Sequence, residues 1–197
     1  VKTTGMIETN RNIYLLTHST KFGVLQEVDD MRRIGAEAAW AWRSLCIQGE
    51  AVRLTYTSLK PVGRPAMDAR FTTWYASGAY FITGERPAFS RGTIAPVVPD
   101  APFSPSSGGF GAIGIALRYE KFRGDRKWIT PNAFVSVKRA DALSLAVNWI
   151  LNQNNKLILD YTHTNLSDPI RIRVRRDGAI DYIDEENTLT VRYVIDL

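Results

Sequence analysis

Strict alternation of apolar and polar residues, sustained over segments too long for ordinary globular strands, is what most limits the fold open to this chain. In residues 31–42, Ile34, Ala36, Ala38, Trp40 and Trp42 share one parity, and Arg33, Gly35, Glu37, Ala39 and Ala41 the other. Successive side chains of a strand point to opposite faces, so a period of two predicts a strand with one apolar and one polar face. The same pattern recurs over 45–57, 70–83, 111–122, 140–151, 156–164 and 187–197. It is clearest in the last of these, where Leu189, Val191, Tyr193, Ile195 and Leu197 oppose Thr190, Arg192 and Asp196. Each segment has roughly 9–13 residues, the reach a tilted strand needs to cross a bilayer. Strands of globular proteins average only about 5–6. Arg53 falls on the apolar parity, so a bulge or the membrane edge is expected there. Phe81 falls on the polar parity.

Mean hydropathy is −0.17, and the 197 residues contain no apolar run long enough for a helical span. A barrel strand presents only every second residue to lipid, so low mean hydropathy fits a membrane barrel. Trp40, Trp42, Trp74, Tyr80, Tyr119, Trp149, Tyr161 and Tyr193 lie near segment ends, as in the aromatic girdles of such barrels. The connections also alternate. Residues 43–44 and 153–154 read as tight periplasmic turns, and 58–69, 123–139 and 165–186 as longer outside loops. Residues 84–110 fall on the periplasmic side yet are long and rich in Pro, Ser and Gly; the segment either hangs free or folds into the lumen. Residues 1–30 are ambiguous: 12–17 and 22–27 read as strands or as an outer loop, with 12–17 a candidate for a further barrel strand. The start at Val1 reads as a mature segment or a fragment.

Five blocks carry a resemblance to a known family. Residues 75–85, YASGAYFITGE, resemble the Y-x-x-A-S-Y-F-L-T-G-E stretch of the phosphate-selective porins O and P. FGAIGIALRY at 110–119, VNWILNQNNKLILD at 147–160, GAEAAWAWRSLCIQGE at 35–50 and the closing ENTLTVRYVIDL at 186–197 resemble further blocks of that family, in the same order. The resemblance implies an all-β, up-and-down transmembrane barrel of sixteen strands, with this chain as its C-terminal part. It implies a homotrimer in the outer membrane of a Gram-negative bacterium that passes small anions, phosphate and polyphosphate among them. Family members also fold a periplasmic-side segment into the lumen, for which 84–110 is the candidate. There are two departures. Members usually end in Phe, where this chain has Leu197. Their arginine-lined constriction comes largely from an N-terminal half that has no counterpart here, so those residues are not carried over.

The net charge of +5 and the pI near 9.4 point to an anionic partner. Arg33, Arg118, Lys156 and Arg192 sit on the polar parity and are candidates for a cationic pore wall. The competing expectation is that they pair with Glu37, Glu50, Glu120, Asp160 and Asp196 on the same faces, leaving the wall nearly neutral. Glu85, Arg86 and Arg91 open the inward-loop candidate and are further pore-lining candidates. Arg171, Arg173, Arg175 and Arg176 form a basic cluster in an outside loop, read as a solvated loop or a partner of lipopolysaccharide phosphates. The spacing in IRIRVRR suggests that a strand extends into this loop.

No catalytic arrangement, cofactor motif or metal-ligand spacing is present. His18 and His163 stand far apart, Asp29-Asp30 and Glu185-Glu186 read as solvated turns, and Cys46 is a lone thiol on the polar parity. Nucleic-acid binding is disfavoured because basic residues and aromatics mostly occupy opposite strand faces. The expectation is a passive anion-conducting porin. The alternative is a small, non-conducting structural or adhesive outer-membrane barrel, complete in itself. Inward Gly35, Ala39, Ala41, Gly114 and Ala116 would underfill so small a barrel.

Overall fold

The computed structural model describes residues 25–27, 29–61, 65–90, 93–125 and 137–196. The expected segment 12–17 and the terminal Leu197 lie outside the described residues. The long strands are β2 (Asp30–Trp42), β3 (Leu45–Pro61), β4 (Met67–Phe81), β7 (Ala112–Arg123), β8 (Arg139–Asn152), β9 (Asn155–Val174) and β10 (Ile180–Ile195). Three short ones complete the set: β1 (Leu25–Glu27), β5 (Phe89–Ser90) and β6 (Thr93–Ile94). No described residue is helical.

All pairings are antiparallel, and each long strand pairs with the next in the chain, giving the order β3-β4-β7-β8-β9-β10 with β2 and β1 both on the outer edge of β3. This is an up-and-down meander, the connectivity of a membrane barrel. The sheet is not closed: no ladder joins β10 to β2 among the described residues.

Regular register carries the alternation across the whole sheet. Trp40 lies opposite Ile47, Ile47 opposite Gly78, Gly78 opposite Leu117, Leu117 opposite Leu145, Leu145 opposite Tyr161 and Tyr161 opposite Leu189. The apolar parities of all seven long strands therefore merge into one face. That face is open to its surroundings. Trp40, Ile47, Tyr80, Leu117, Leu145 and Leu189 are between 46% and 70% exposed. A soluble monomer rarely shows an apolar patch beyond a few hundred Å², so the surroundings this face suits are hydrocarbon. On β4 the band runs from Tyr80 to Trp74, roughly 20 Å at about 3.3 Å per residue. Tyr80, Trp149 and Tyr193 mark its lower edge, and Trp74 and Tyr119 its upper edge.

The ladder is regular through Arg53, which pairs with Ile34 and Thr72, so the bulge allowed for there is absent. The irregularity lies between Tyr56 and Leu59. Ser58 takes a left-handed φ of 52° there, and its N–H donates to Asp68 Oδ1 at 3.1 Å. The strands also run beyond the alternating core. β9 and β10 extend into the region read as an outside loop, leaving residues 175–179 as the turn, closed by Arg175 N–H to Ala179 O at 2.7 Å.

On the polar face, beyond the level of Glu50 and Glu120, the side chains become apolar and buried. Tyr56, Leu59, Phe71, Phe122, Val137, Leu166 and Ile170 form the main core with Ala69, Ala140 and Ala142. Period-two alternation predicted polar side chains for this face; the cluster exists because these strand ends pack on each other above the bilayer band.

Candidate functional site: the polar wall and the loop laid on it

Side chains of the polar face line up in rows across the strands. One row runs Gln48, Ser77, Arg118, Ser144, Thr162, Thr188. It is a belt of hydroxyls and one amide around a single guanidinium. Ser144 Oγ and Thr162 Oγ1 share a hydrogen bond of 2.8 Å. The next row toward the long connections runs Glu37, Glu50, Tyr75, Glu120, Ala142, Thr164, Glu186. The row on the other side is made largely of small residues, Cys46, Ala79, Ala116 and Ala146, before Asp160 and Thr190.

Arg118 is the most constrained cation of the wall. Its Nε and Nη2 both lie 2.9 Å from Glu120 Oε2, and its guanidinium stacks 3.8 Å from the centre of the Tyr75 ring. The contacts restrict its rotamers and screen its charge on one side. Arg192 Nη2 lies 3.2 Å from Asp160 Oδ2 across the β9–β10 ladder. Arg33 Nη2 lies 3.7 Å from Glu50 Oε1. Each of these three candidates thus faces a carboxylate, as the pairing alternative expected. Lys156 stands at the foot of the wall between Ile150 and Val194, half-buried.

Arg118 and Arg192 line a common concavity of about 250 Å³, together with Gln48, Ser77, Ser144, Asp160 and Thr162. Ile94 of the 84–110 connection lines it too. The β5–β6 hairpin therefore lies over the polar face, above the floor of small residues. Phe81 also projects onto this face, and its ring covers Gly114, where a Cβ would come within 3.0 Å. Phe81 is buried at 6% exposure, which accounts for its departure from the apolar parity. Cys46 is 1% exposed, its thiol 3.7 Å from Ala79 O.

The connection is fastened at both ends. Glu85, a pore-lining candidate, is only 3% exposed. Its carboxylate accepts a short hydrogen bond from the Thr83 hydroxyl, which itself accepts from Ile113 N–H at 2.9 Å. Glu85 thus ties the loop root to β7. Arg86 beside it is exposed, and Arg91 lies outside the described residues. At the return end Phe103 and Phe110 pack on Trp149, both with centroids 5.4 Å away, and Trp149 Nε1 donates to Phe110 O at 2.8 Å. Trp149 belongs to the apolar face, so the connection grips the sheet from both sides.

The outer basic cluster is spread along the β9–β10 hairpin. Arg171 and Arg173 are ladder residues opposite Tyr182 and Asp181. Arg175 pairs with Asp181 at 2.5 Å, and this carboxylate holds its guanidinium above its ordinary pKa. Arg176 is exposed in the turn. Tyr75, the Ser144–Thr162 pair and Ile94 were not singled out from sequence. The first three sit on the polar parity, which was the available signal. Ile94 lies in the 84–110 stretch, for which an inward course was one of the two expectations, but no signal marked this residue within it.

The family model described as phosphate-selective porin O and P matches residues 14–172. The chain belongs to this family. Four of the five blocks that carried the resemblance fall inside the matched stretch, and the closing strand lies beyond it. A search of curated proteins gave no match. No group of three metal-ligating side chains occurs among the described residues of this family member.

Proposed function

We propose that this chain forms part of the wall of an outer-membrane porin through which small anions, phosphate and polyphosphate among them, diffuse passively. The observation that carries the reading is the pairing of an exposed apolar face with a polar face across one continuous antiparallel meander, in a member of a porin family. In this reading the apolar face meets lipid and the polar face meets water in the lumen. The tight turns at 43–44 and 153–154 lie on the periplasmic side and the long hairpins outside, following the habit of such barrels. The loop at 84–110 narrows the lumen, and Arg86, Lys156, Arg118 and Arg192 line the path. Neutralising carboxylates keep each anion weakly held, so that ions leave as readily as they arrive. The family resemblance supports a homotrimer, embedded in outer-membrane lipid.

A small self-contained barrel is the second reading, and inward Gly35, Ala39, Ala41, Gly114 and Ala116 would underfill it. The seven long strands place β2 and β10 at the two edges running in the same direction, and an antiparallel barrel closes only with an even number. Either barrel therefore requires at least one strand beyond the long strands among the described residues. The test is the reversal potential of the native, detergent-extracted protein in a planar bilayer under a KCl gradient, with phosphate then added. The expected result is an anion-selective current that phosphate blocks. A protein that inserts but conducts nothing would leave a structural barrel.

A further inference from the structure

The apolar face changes character at one end. Beyond the Trp74–Tyr119 pair, whose rings lie 5.4 Å apart, its side chains become cationic. Arg53 on β3 lies opposite Thr72, Thr72 opposite Arg123 on β7, and Arg123 opposite Arg139 on β8. Lys121 stands one pleat nearer the girdle, opposite Trp74. Arg70 stands one pleat farther out, opposite Thr55. The pleat puts all five cations on the side that carries the girdle aromatics, not on the polar wall.

Arg53, Arg70, Arg123 and Arg139 are exposed. A concavity of about 430 Å³ is cut into the patch, lined by Thr55, Arg70, Thr72 and Arg123 with Asp68 and Asp125 at its rim. Three acidic side chains near this level accept from backbone or amide groups. Asp68 accepts from Ser58 N–H at 3.1 Å, Asp125 from Arg70 N–H at 3.2 Å, and Asp141 from Asn165 Nδ2 at 3.4 Å. Arg32, opposite Thr55, adds a sixth cation, and Glu185, opposite Asn165, and Asp30, opposite Thr57, add two carboxylates on the same face, so six cations stand against five carboxylates and the belt is positive.

We infer that this belt binds the phosphates of a phosphorylated glycolipid headgroup in the outer leaflet. Its position selects the source. An anion in the lumen meets the opposite face of the sheet, whereas a headgroup lies level with the girdle and just above it. Arginine forks suit phosphate oxygens. From Arg53 to Arg139 the belt crosses three strand spacings, about 14 Å, wide enough to engage two phosphates at once. This site is separate from the Arg171–Arg176 cluster on the protruding hairpin. The inference rests on the reading above that the long hairpins face outside.

The test uses the intact protein in nanodiscs, with bis-phosphorylated lipid A, the same lipid after phosphatase treatment, phosphatidylglycerol, and inorganic phosphate as four separate additions. Lipid A is expected to raise the unfolding midpoint and to stay bound in native mass spectrometry. The dephosphorylated lipid binds about tenfold more weakly or worse. A triple Arg53→Gln, Arg123→Gln, Arg139→Gln variant loses the phosphate-dependent part while conductance and reversal potential stay as in the wild type. Equal binding of the two lipids by the wild type overturns the inference whether or not any variant folds, as does unchanged lipid A binding by the folded triple variant. Stabilisation by inorganic phosphate alone would overturn the choice of lipid. A preference for phosphatidylglycerol would place the belt in the other leaflet and overturn it as well. If phosphorylated lipid binds while no anion current is found, the porin reading fails and the belt stands.

Discussion

Arg118 illustrates how a wall cation is tuned by one neighbour. Glu120 holds both Nε and Nη2 of its guanidinium at 2.9 Å, and Tyr75 occupies one ring face. An anion arriving at the concavity must compete with a carboxylate already in place. Replacing Glu120 by Gln removes that competitor and, in the porin proposed above, one negative charge from the lumen, while the amide oxygen still accepts a hydrogen bond. E120Q is therefore expected to shift the reversal potential toward anions, with a permeability ratio roughly two- to threefold higher, and to lower the phosphate concentration that blocks the current. An unchanged reversal potential would mean that Arg118 does not face the permeating ions. The sequence placed Arg33, Arg118 and Arg192 on the polar parity and supplied candidate carboxylates on the same faces. Arg118 and Glu120, two residues apart on one strand face, were legible as a pair. The Arg192–Asp160 pair was not, because it spans two strands and depends on a register that alternation alone does not fix.

The 84–110 connection works as an element through its two fastenings. Its hairpin places Ile94 over the floor that includes Cys46, and that thiol is 1% exposed. If the hairpin shields the thiol, Ile94→Gly should raise the rate at which a small methanethiosulfonate labels Cys46 by about tenfold and widen the single-channel conductance. Labelling as slow as in the wild type would show that the sheet itself buries the thiol. The second fastening is the Trp149 indole between Phe103 and Phe110. Trp149→Ala removes both ring contacts and the bond to Phe110 O, for an expected loss of about 2 kcal/mol measured as a lower midpoint of urea unfolding in liposomes. Sequence composition marked this stretch as an unusual connection and left open whether it folds inward. Its course depends on long-range contacts with β3, β7 and β8, which carry no local period. The strands themselves were legible because alternation is local. Their extensions into the outside hairpins were harder to read, since above the bilayer the apolar demand on alternate residues no longer operates. IRIRVRR was the one alternating trace there.

At the scale of the molecule the decisive property is the pair of sheet edges. β2 is exposed along its whole length, and among the described residues neither β2 nor β10 has a partner on its outer side. Both flanks of the apolar band would then present backbone N–H and C=O groups to hydrocarbon, each at a cost of several kcal/mol. A bilayer does not tolerate such edges, so in the membrane each must be paired by further strands. Because β2 and β10 run in the same direction, the strands added must be odd in number, whether one for a barrel of eight or nine for a barrel of sixteen. Amide exchange on the intact protein in detergent micelles tests the closure directly. Within the bilayer band of β2, the N–H groups bonded to β3 and those pointing the other way are expected to be protected alike. On an open edge, the second set would exchange within minutes while the first stayed protected, and that alternating pattern would sink the barrel reading irrespective of any current. Uniform protection on both strands would leave the number of added strands to be read from conductance, since a barrel of eight fills its own interior and one of sixteen leaves a water-filled channel.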